Sequence, residues 1–353
     1  MLPSVLPRAW RTDLVEEEKR MRKFIPTLLA LAVFIGLFWY ASGHSFFKKE
    51  DETAEKTSPV FSMKKEDVQG IYVKTDKGET ELSLKDGNWT MQKPQEQPIN
   101  SNLVGSWLDT YVSLNREDIV EDQASDLAKY GLDKPAAEYR VTLKDGTSKV
   151  LQTGENLPTG DSVYAKLAGS DQVFPVTGQS LEQLSKAPID FVDCSPAKFD
   201  SDKVTKLDFS WNNQTWTLIK QEPDKSMAEA KWTLNNEEIP GTMVSSRLDK
   251  LSSLSTEKLV EPASNHTDIK GELRIEVTEV KDGQETKSVY LGQSSKDLVW
   301  MMKEGGPWAY AIPVSGVQDL ASQGKLTDKE KKQIEEEKTA TSPSPSPSAT
   351  PTP

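Results

Sequence analysis

The chain of 353 residues holds one cysteine and two histidines, His44 and His266. A single thiol excludes an internal disulfide, a thiolate zinc site and a C-x-x-C redox pair. Two imidazoles leave little material for a histidine metal centre. Basic residues are short as well: 43 Lys and Arg against 55 Asp and Glu give a formal charge of −12. That balance speaks against nucleic acid as a partner, because phosphate recognition needs a basic surface. Missing too are the dinucleotide, Walker, zinc-protease, nucleophile-elbow and EF-hand patterns. Ser-x-x-Lys occurs at Ser62–Lys65 and Ser195–Lys198, without the companion motifs of the penicillin-binding enzymes. Cys194 has no adjacent basic residue to activate it. His266 lies in a turn-like stretch and is expected in a surface loop. Among so many carboxylates no acid pair stands out. The expectation is therefore a protein with no catalytic residue, no metal and no cofactor, and not an enzyme.

What is present is first a long apolar run. Residues 24–43 carry no charged side chain over 20 residues, about the length a helix needs to cross a ~30 Å hydrocarbon layer. Arg20, Arg22 and Lys23 abut one end, and Trp39 and Tyr40 lie at the other. The positive-inside rule and the interfacial preference of aromatic rings then predict a cytoplasmic leader at 1–23, a transmembrane helix at 24–43 and an extracytoplasmic remainder. The other reading is a cleaved signal peptide ending near Ala41 and Gly43, although such apolar regions are normally shorter. Met21 opens a self-sufficient signal-anchor, so residues 1–20 are expected to be dispensable. Residues 48–62 are charged and polar and read as a linker. Residues 326–353 are charged and then rich in Ser, Thr and Pro, and read as a disordered tail.

Between linker and tail the chain repeats itself. Residues 99–121 align without a gap on 239–261, and ten of the 23 positions are identical, among them Leu108/Leu248, Asp109/Asp249 and Glu121/Glu261. Pro175-Val176-Thr177-Gly178 returns as Pro313-Val314-Ser315-Gly316, Gly154 matches Gly292, and Trp89 matches Trp232. Two tandem copies follow, at 63–193 and 204–323. Within each, alternating runs broken by Lys-Gly and Asp-Gly turns predict antiparallel strands. Leu103, Val104, Trp107, Leu108, Tyr111 and Leu114, like Met243, Val244, Leu248, Leu251 and Leu254, fall at helical spacing. Each copy is expected to be an antiparallel sheet with one main helix, which is an α+β architecture.

Residues 127–135 read Leu127-Ala128-Lys129-Tyr130-Gly131-Leu132-Asp133-Lys134-Pro135. They resemble the L-x-x-Y-G-L-D-x-P signature of an uncharacterised bacterial family, the domain of unknown function numbered four-three-four-zero. The strand, turn, strand, glycine order through Gly154, then Tyr164 and Phe174-Pro175-Val176, is also similar. The resemblance covers roughly residues 65–320. It implies one N-terminal membrane helix, a duplicated outer region, and partners among ABC-type permeases and gliding-motility-type auxiliary transport subunits. It implies no catalytic residue. The second copy departs from the signature, with Glu261-Pro262-Ala263-Ser264-Asn265 at that place. In physical terms Gly131 allows a turn with positive φ, and Tyr130 and Leu132 plug the core beneath it. The chain thus reads as a membrane-anchored, non-catalytic accessory subunit of an ABC-type transport system. The alternative is a wall- or polysaccharide-binding module that uses exposed aromatic rings.

Overall fold

A computed structural model describes residues 57–158 and 160–340. The expected leader, membrane span, most of the linker and the Ser/Thr/Pro tail lie outside those residues. Among the described residues no helix is long and apolar enough to cross a membrane. The fold is mixed α+β, with antiparallel sheets and five α-helices among the described residues. The described residues from Ser58 on belong to one compact unit.

A two-residue strand β1 (Ser58–Pro59) pairs with β5 (Asn115–Arg116). The first sheet then begins with β2 (Val68–Thr75), β3 (Gly78–Lys85) and β4 (Asn88–Lys93). Ile71, Val73, Leu82 and Met91 point to its buried face. The turn between β3 and β4 is Asp86-Gly87, both at positive φ (50° and 80°), the conformation that matches the twist of a two-residue hairpin. Helix α1 (Ser101–Val112) crosses the buried face. The Asn100 side chain caps it by accepting from the Asn102 N–H. Val104, Trp107, Leu108 and Tyr111 form its apolar stripe, each adding about 1.5–3 kcal/mol on burial.

The sheet continues on the other side of β2 with β6 (Ala137–Leu143), β7 (Ser148–Asn156), β8 (Ser162–Leu167) and β9 (Phe174–Thr177). The order is β4-β3-β2-β6-β7-β8-β9. Helix α2 (Gly178–Leu184) returns against α1.

The second sheet is laid out in the same sequence of steps. Strands β10 (Val204–Trp211), β11 (Gln214–Lys220), β12 (Lys231–Leu234) and β13 (Glu237–Pro240) precede helix α3 (Gly241–Ser252). After it come β14 (Glu261–Pro262), β15 (Leu273–Lys281), β16 (Gln284–Ser295), β17 (Leu298–Lys303) and β18 (Trp308–Pro313). Helix α4 (Val314–Ser322) then packs on α3. The order is β13-β12-β11-β10-β15-β16-β17-β18-β14. In both sheets the first strand pairs with the first long strand after the main helix, β2 with β6 and β10 with β15.

The charged stretch expected to belong to a tail is in part helix α5 (Asp328–Ala340). Its sequence is polar nearly all round, and it is held by Ile334, which is 7% exposed, and by an ion pair. Arg247, 1% exposed, meets Glu330 at 2.9 Å. Arg247 also donates to the Met243 carbonyl at 2.7 Å and the Gln323 carbonyl at 3.0 Å. Thr327 and Glu330 form a reciprocal capping box at the helix start.

The two sheets share one continuous core. At the junction Gln97, 4% exposed, uses its amide like a peptide group. It donates to the Val260 carbonyl at 3.0 Å and accepts from the Val260 N–H at 2.9 Å. The Thr256 N–H donates to the Cys194 carbonyl nearby, at 3.0 Å.

Candidate functional site

The signature residues form a single capped turn. Leu127–Tyr130 is one turn of 3-10 helix, capped by Asp126, whose carboxylate accepts from the Ala128 N–H. Gly131 follows at φ 67°. The Leu132 N–H reaches the Leu127 carbonyl at 2.9 Å and the Gly131 N–H reaches that of Ala128 at 3.1 Å. That is the Schellman arrangement, which needs a left-handed residue at Gly131. Tyr130 and Leu132 are 2% and 3% exposed and build a small satellite core with Ala124 and Val173, against which Leu127 and Tyr164 pack. Asp133 is exposed and Pro135 half-buried. The turn lies directly on β7: a Cβ on Gly154 would stand 2.0 Å from the Tyr130 carbonyl oxygen. Close approach of two backbones is what fixes glycine there.

The Tyr130 hydroxyl donates to Glu121 Oε2 at 2.5 Å, and its ring meets Tyr164 edge-on at 4.9 Å. The second sheet fills the same place with different residues. Glu261, the repeat counterpart of Glu121, lies 2.9 Å from His266 Nε2. The His266 ring packs 4.0 Å from Trp300. His266 was expected in a surface loop, but its side chain is only 11% exposed, because the Trp300 ring and the Glu261 carboxylate enclose it. In each sheet a ring donor, a carboxylate and a second ring brace the edge strand. In both arrangements the polar atoms are engaged on one another.

A cleft of about 740 Å³ opens where the two sheets meet. Leu103, Ser106, Trp107 and Thr110 line it from α1, Lys186, Asp190 and Cys194 from the connecting segment, and Ser255 from the second half. Trp107 is pinned by its indole N–H, which donates to the Leu184 carbonyl at 2.9 Å. Leu103 is 43% exposed, an apolar side chain offered to solvent at the cleft wall. Lys198 and Asp193 pair at 2.6 Å, and Asp190 accepts from the Ala187 N–H at 2.8 Å. The Cys194 thiol is pushed up by burial and then by the Asp193 and Asp190 carboxylates, against the weaker pull of Lys198. A thiol so placed is mostly protonated near neutral pH and is a poor nucleophile. The cleft is suited to holding a side chain or a short apolar group. Among the described residues no group of three His, Cys, Asp or Glu side chains is placed to hold a metal ion.

Sequence reasoning missed two clusters. The Arg247–Glu330 pair could have been sought, because Arg247 stands at an apolar position of the α3 stripe and Thr327-x-x-Glu330 reads as a capping box. The Gln97–Val260 clamp leaves no local signal. A further correspondence extends the repeat. Ala187 and Thr327 stand 140 residues apart, and the N–H of each donates at 2.8 Å to a carboxylate three residues on, Asp190 or Glu330.

Fold and site together define a mixed α+β protein with two antiparallel sheets on one core, a cleft and a capped signature turn. The family model described as a domain of unknown function, DUF4340, matches residues 89–272, and the chain belongs to that family. Comparison with the curated proteins and with the solved structures gives no match.

Proposed function

We propose that the protein is a single-pass, membrane-anchored extracytoplasmic accessory subunit of an ABC-type transport system, working by binding and without catalysis. In this reading residues 24–43 form the membrane helix, two tandem copies of one α+β unit form the outer body, and the Ser/Thr/Pro-rich end of the chain is the tail. The observation that carries the location is the uncharged run at 24–43 with Arg20, Arg22 and Lys23 at its inner end. Support for a binding role comes from the rigid two-sheet scaffold and from the wide cleft at its junction. Tyr130 and Glu121 at the signature turn and Asp190, Asp193 and Lys198 at the cleft are engaged with partners in the fold, and burial and neighbouring carboxylates favour the protonated form of the one thiol. The polysaccharide-binding alternative has less support, since every Trp and Tyr among the described residues is buried or half-buried.

Purification of the full chain from membranes in mild detergent, followed by identification of co-purifying proteins, tests the reading. An ABC-type permease recovered in fixed ratio is the expected result. Recovery of the chain from the soluble fraction, or from the membrane with no transport component, would overturn it.

A further inference from the structure

The two sheets differ at one edge. In the second sheet β12 is followed by a two-residue turn and by β13, which pairs along it with Trp232 opposite Ile239. Trp232 is 0% and Ile239 1% exposed. In the first sheet the matching strand is β4, with Trp89-Thr90-Met91 in the place of Trp232-Thr233-Leu234. Among the described residues no strand follows it along the edge, and β4 ends the sheet. The repeat counterpart of β13, residues 97–100, is committed elsewhere. Gln97 clamps Val260, Ile99 bridges to Val192, and Asn100 caps α1. Trp89 is accordingly half-buried where Trp232 is fully buried.

Backbone geometry says which groups are left open. Lys85 and Asn88 flank the two-residue turn as a directly opposed pair, so Asn88 and Thr90 direct their N–H and C=O groups at β3. Alternation then turns those of Trp89 and Met91 away from the sheet. The same reasoning in the second sheet turns Trp232 and Leu234 toward β13, as observed. Beside the open edge is a cleft of about 580 Å³, walled by Trp89, Leu84, Val68, Leu108 and Gly105. Lys65 and Asp109, paired at 2.7 Å, line the same cleft, and the position opposite Trp89 is the one that Ile239 takes opposite Trp232 in the second sheet.

We propose that the free edge of β4 is a docking site for an extended segment of a partner protein. The segment adds to the sheet as an antiparallel strand and lays an aliphatic side chain against Trp89. This is strand addition, in which main-chain hydrogen bonds give affinity and alternate side chains give specificity. The ladder it continues is the one already formed by β2, β3 and β4. Charge sets the neighbouring residue. In β13, Glu238 stands opposite Thr233 and meets Lys231 at 3.2 Å. On β4 the place of Lys231 is taken by Asn88, which stands directly opposite Lys85 of β3, and Lys85, one strand further in, has no ion pair among the described residues. An acidic residue beside the aliphatic one therefore complements this edge. The inference goes beyond the transport reading and does not rest on it.

The probe is a fluorescently labelled hexapeptide, Asn-Asn-Glu-Glu-Ile-Pro, titrated with the full chain in detergent and read by anisotropy. Saturable binding is expected, weakened at least tenfold by Trp89→Ala and by exchanging the peptide isoleucine for aspartate. A peptide N-methylated at the isoleucine amide tests the backbone pairing with the protein unaltered, and it too should bind at least tenfold more weakly. Absence of saturable binding, or equal binding of the N-methylated peptide, would overturn the proposal. A dimer of the chain that the peptide disperses would assign the edge to a second copy and overturn the assignment to a partner.

Discussion

Replacing Glu330 by alanine puts a number on the contact that holds α5 to the body. The carboxylate does two things at once. It closes the capping box with Thr327, and it balances Arg247, which is 1% exposed while the Glu330 side chain is 21% exposed. Loss of a capping interaction costs about 1 kcal/mol. Orphaning one partner of a fully buried pair costs about 3–5 kcal/mol. Here the carboxylate is partly wet and the guanidinium keeps two carbonyl acceptors, so about 1–2 kcal/mol is the appropriate share. Glu330→Ala should therefore destabilise by about 2–3 kcal/mol in total. Urea unfolding of the full chain in detergent, followed by tryptophan fluorescence, reads this directly. Arg247→Met removes the buried charge as well. The double variant should thus be less destabilised than the two single effects added, with a coupling of about 1–2 kcal/mol.

The pH dependence follows from the same contact. Burial tends to raise the Glu330 carboxyl, but hydrogen bonds from the Thr327 N–H, Arg247 and the Thr327 hydroxyl outweigh it and hold the group below the usual glutamate range. A carboxyl lowered on folding stabilises the fold above its unfolded value, about 4.3, and that contribution is lost as pH falls through the folded value. The gap between wild type and Glu330→Ala should be constant near neutral pH and close in acid. A variant within about 0.5 kcal/mol of wild type, or a cycle with no coupling, would refute the reasoning.

Gly154→Ala places a methyl group 2.0 Å from the Tyr130 carbonyl oxygen, so β7 and the signature turn must part. A loss of at least about 1–3 kcal/mol is expected, and an unchanged thermal midpoint would show that the contact is soft. Leu108 and Leu248, 3% and 0% exposed, should each cost about 2–5 kcal/mol when truncated to alanine; losses under about 0.5 kcal/mol would deny both a core position. Cys194, its thiol raised by burial and by Asp193 and Asp190, should be alkylated by iodoacetamide more slowly than free cysteine at neutral pH, the rate climbing in alkali. Alkylation as fast as free cysteine would contradict the environment described for it.

Much of the fold is written in local pattern. The apolar spacing from Leu103 to Leu114 predicts a helix, and α1 occupies Ser101–Val112. Asp-Gly marks the turns at Asp86-Gly87, Asp145-Gly146 and Asp282-Gly283, where each glycine has positive φ. The turns Asn212-Asn213 and Asn235-Asn236 also have positive φ throughout, yet without glycine they escape a search for Gly-containing turns. Asparagine tolerates that conformation because its short side chain bonds locally. What sequence could not give is pairing over distance. Gln97 meets Val260 across 163 residues, and His266 is enclosed by Trp300 from another strand. A polar run such as α5 carries too few apolar residues to announce a packed helix, and a single isoleucine with a distant arginine decides the matter. Within the site, the glycine of the signature turn was interpretable from its position, while its neighbour across the gap, Gly154, gains meaning only when β7 is seen beneath it.

The order of strands bears on how such a protein is inherited and cut. The family match runs from β4 to just short of β15, over residues 89–272. A fragment with those ends would keep β6 but not β2, the strand beside it, and β10 but not β15. Each sheet would lose its central ladder and expose two flanks of unpaired backbone, the condition that drives aggregation. A chain cut at the ends of the family match is therefore not expected to fold by itself. Shuffling, truncation or fusion in this family is expected to respect the boundaries near Ser58 and beyond α5, because only between them does every central strand keep both neighbours.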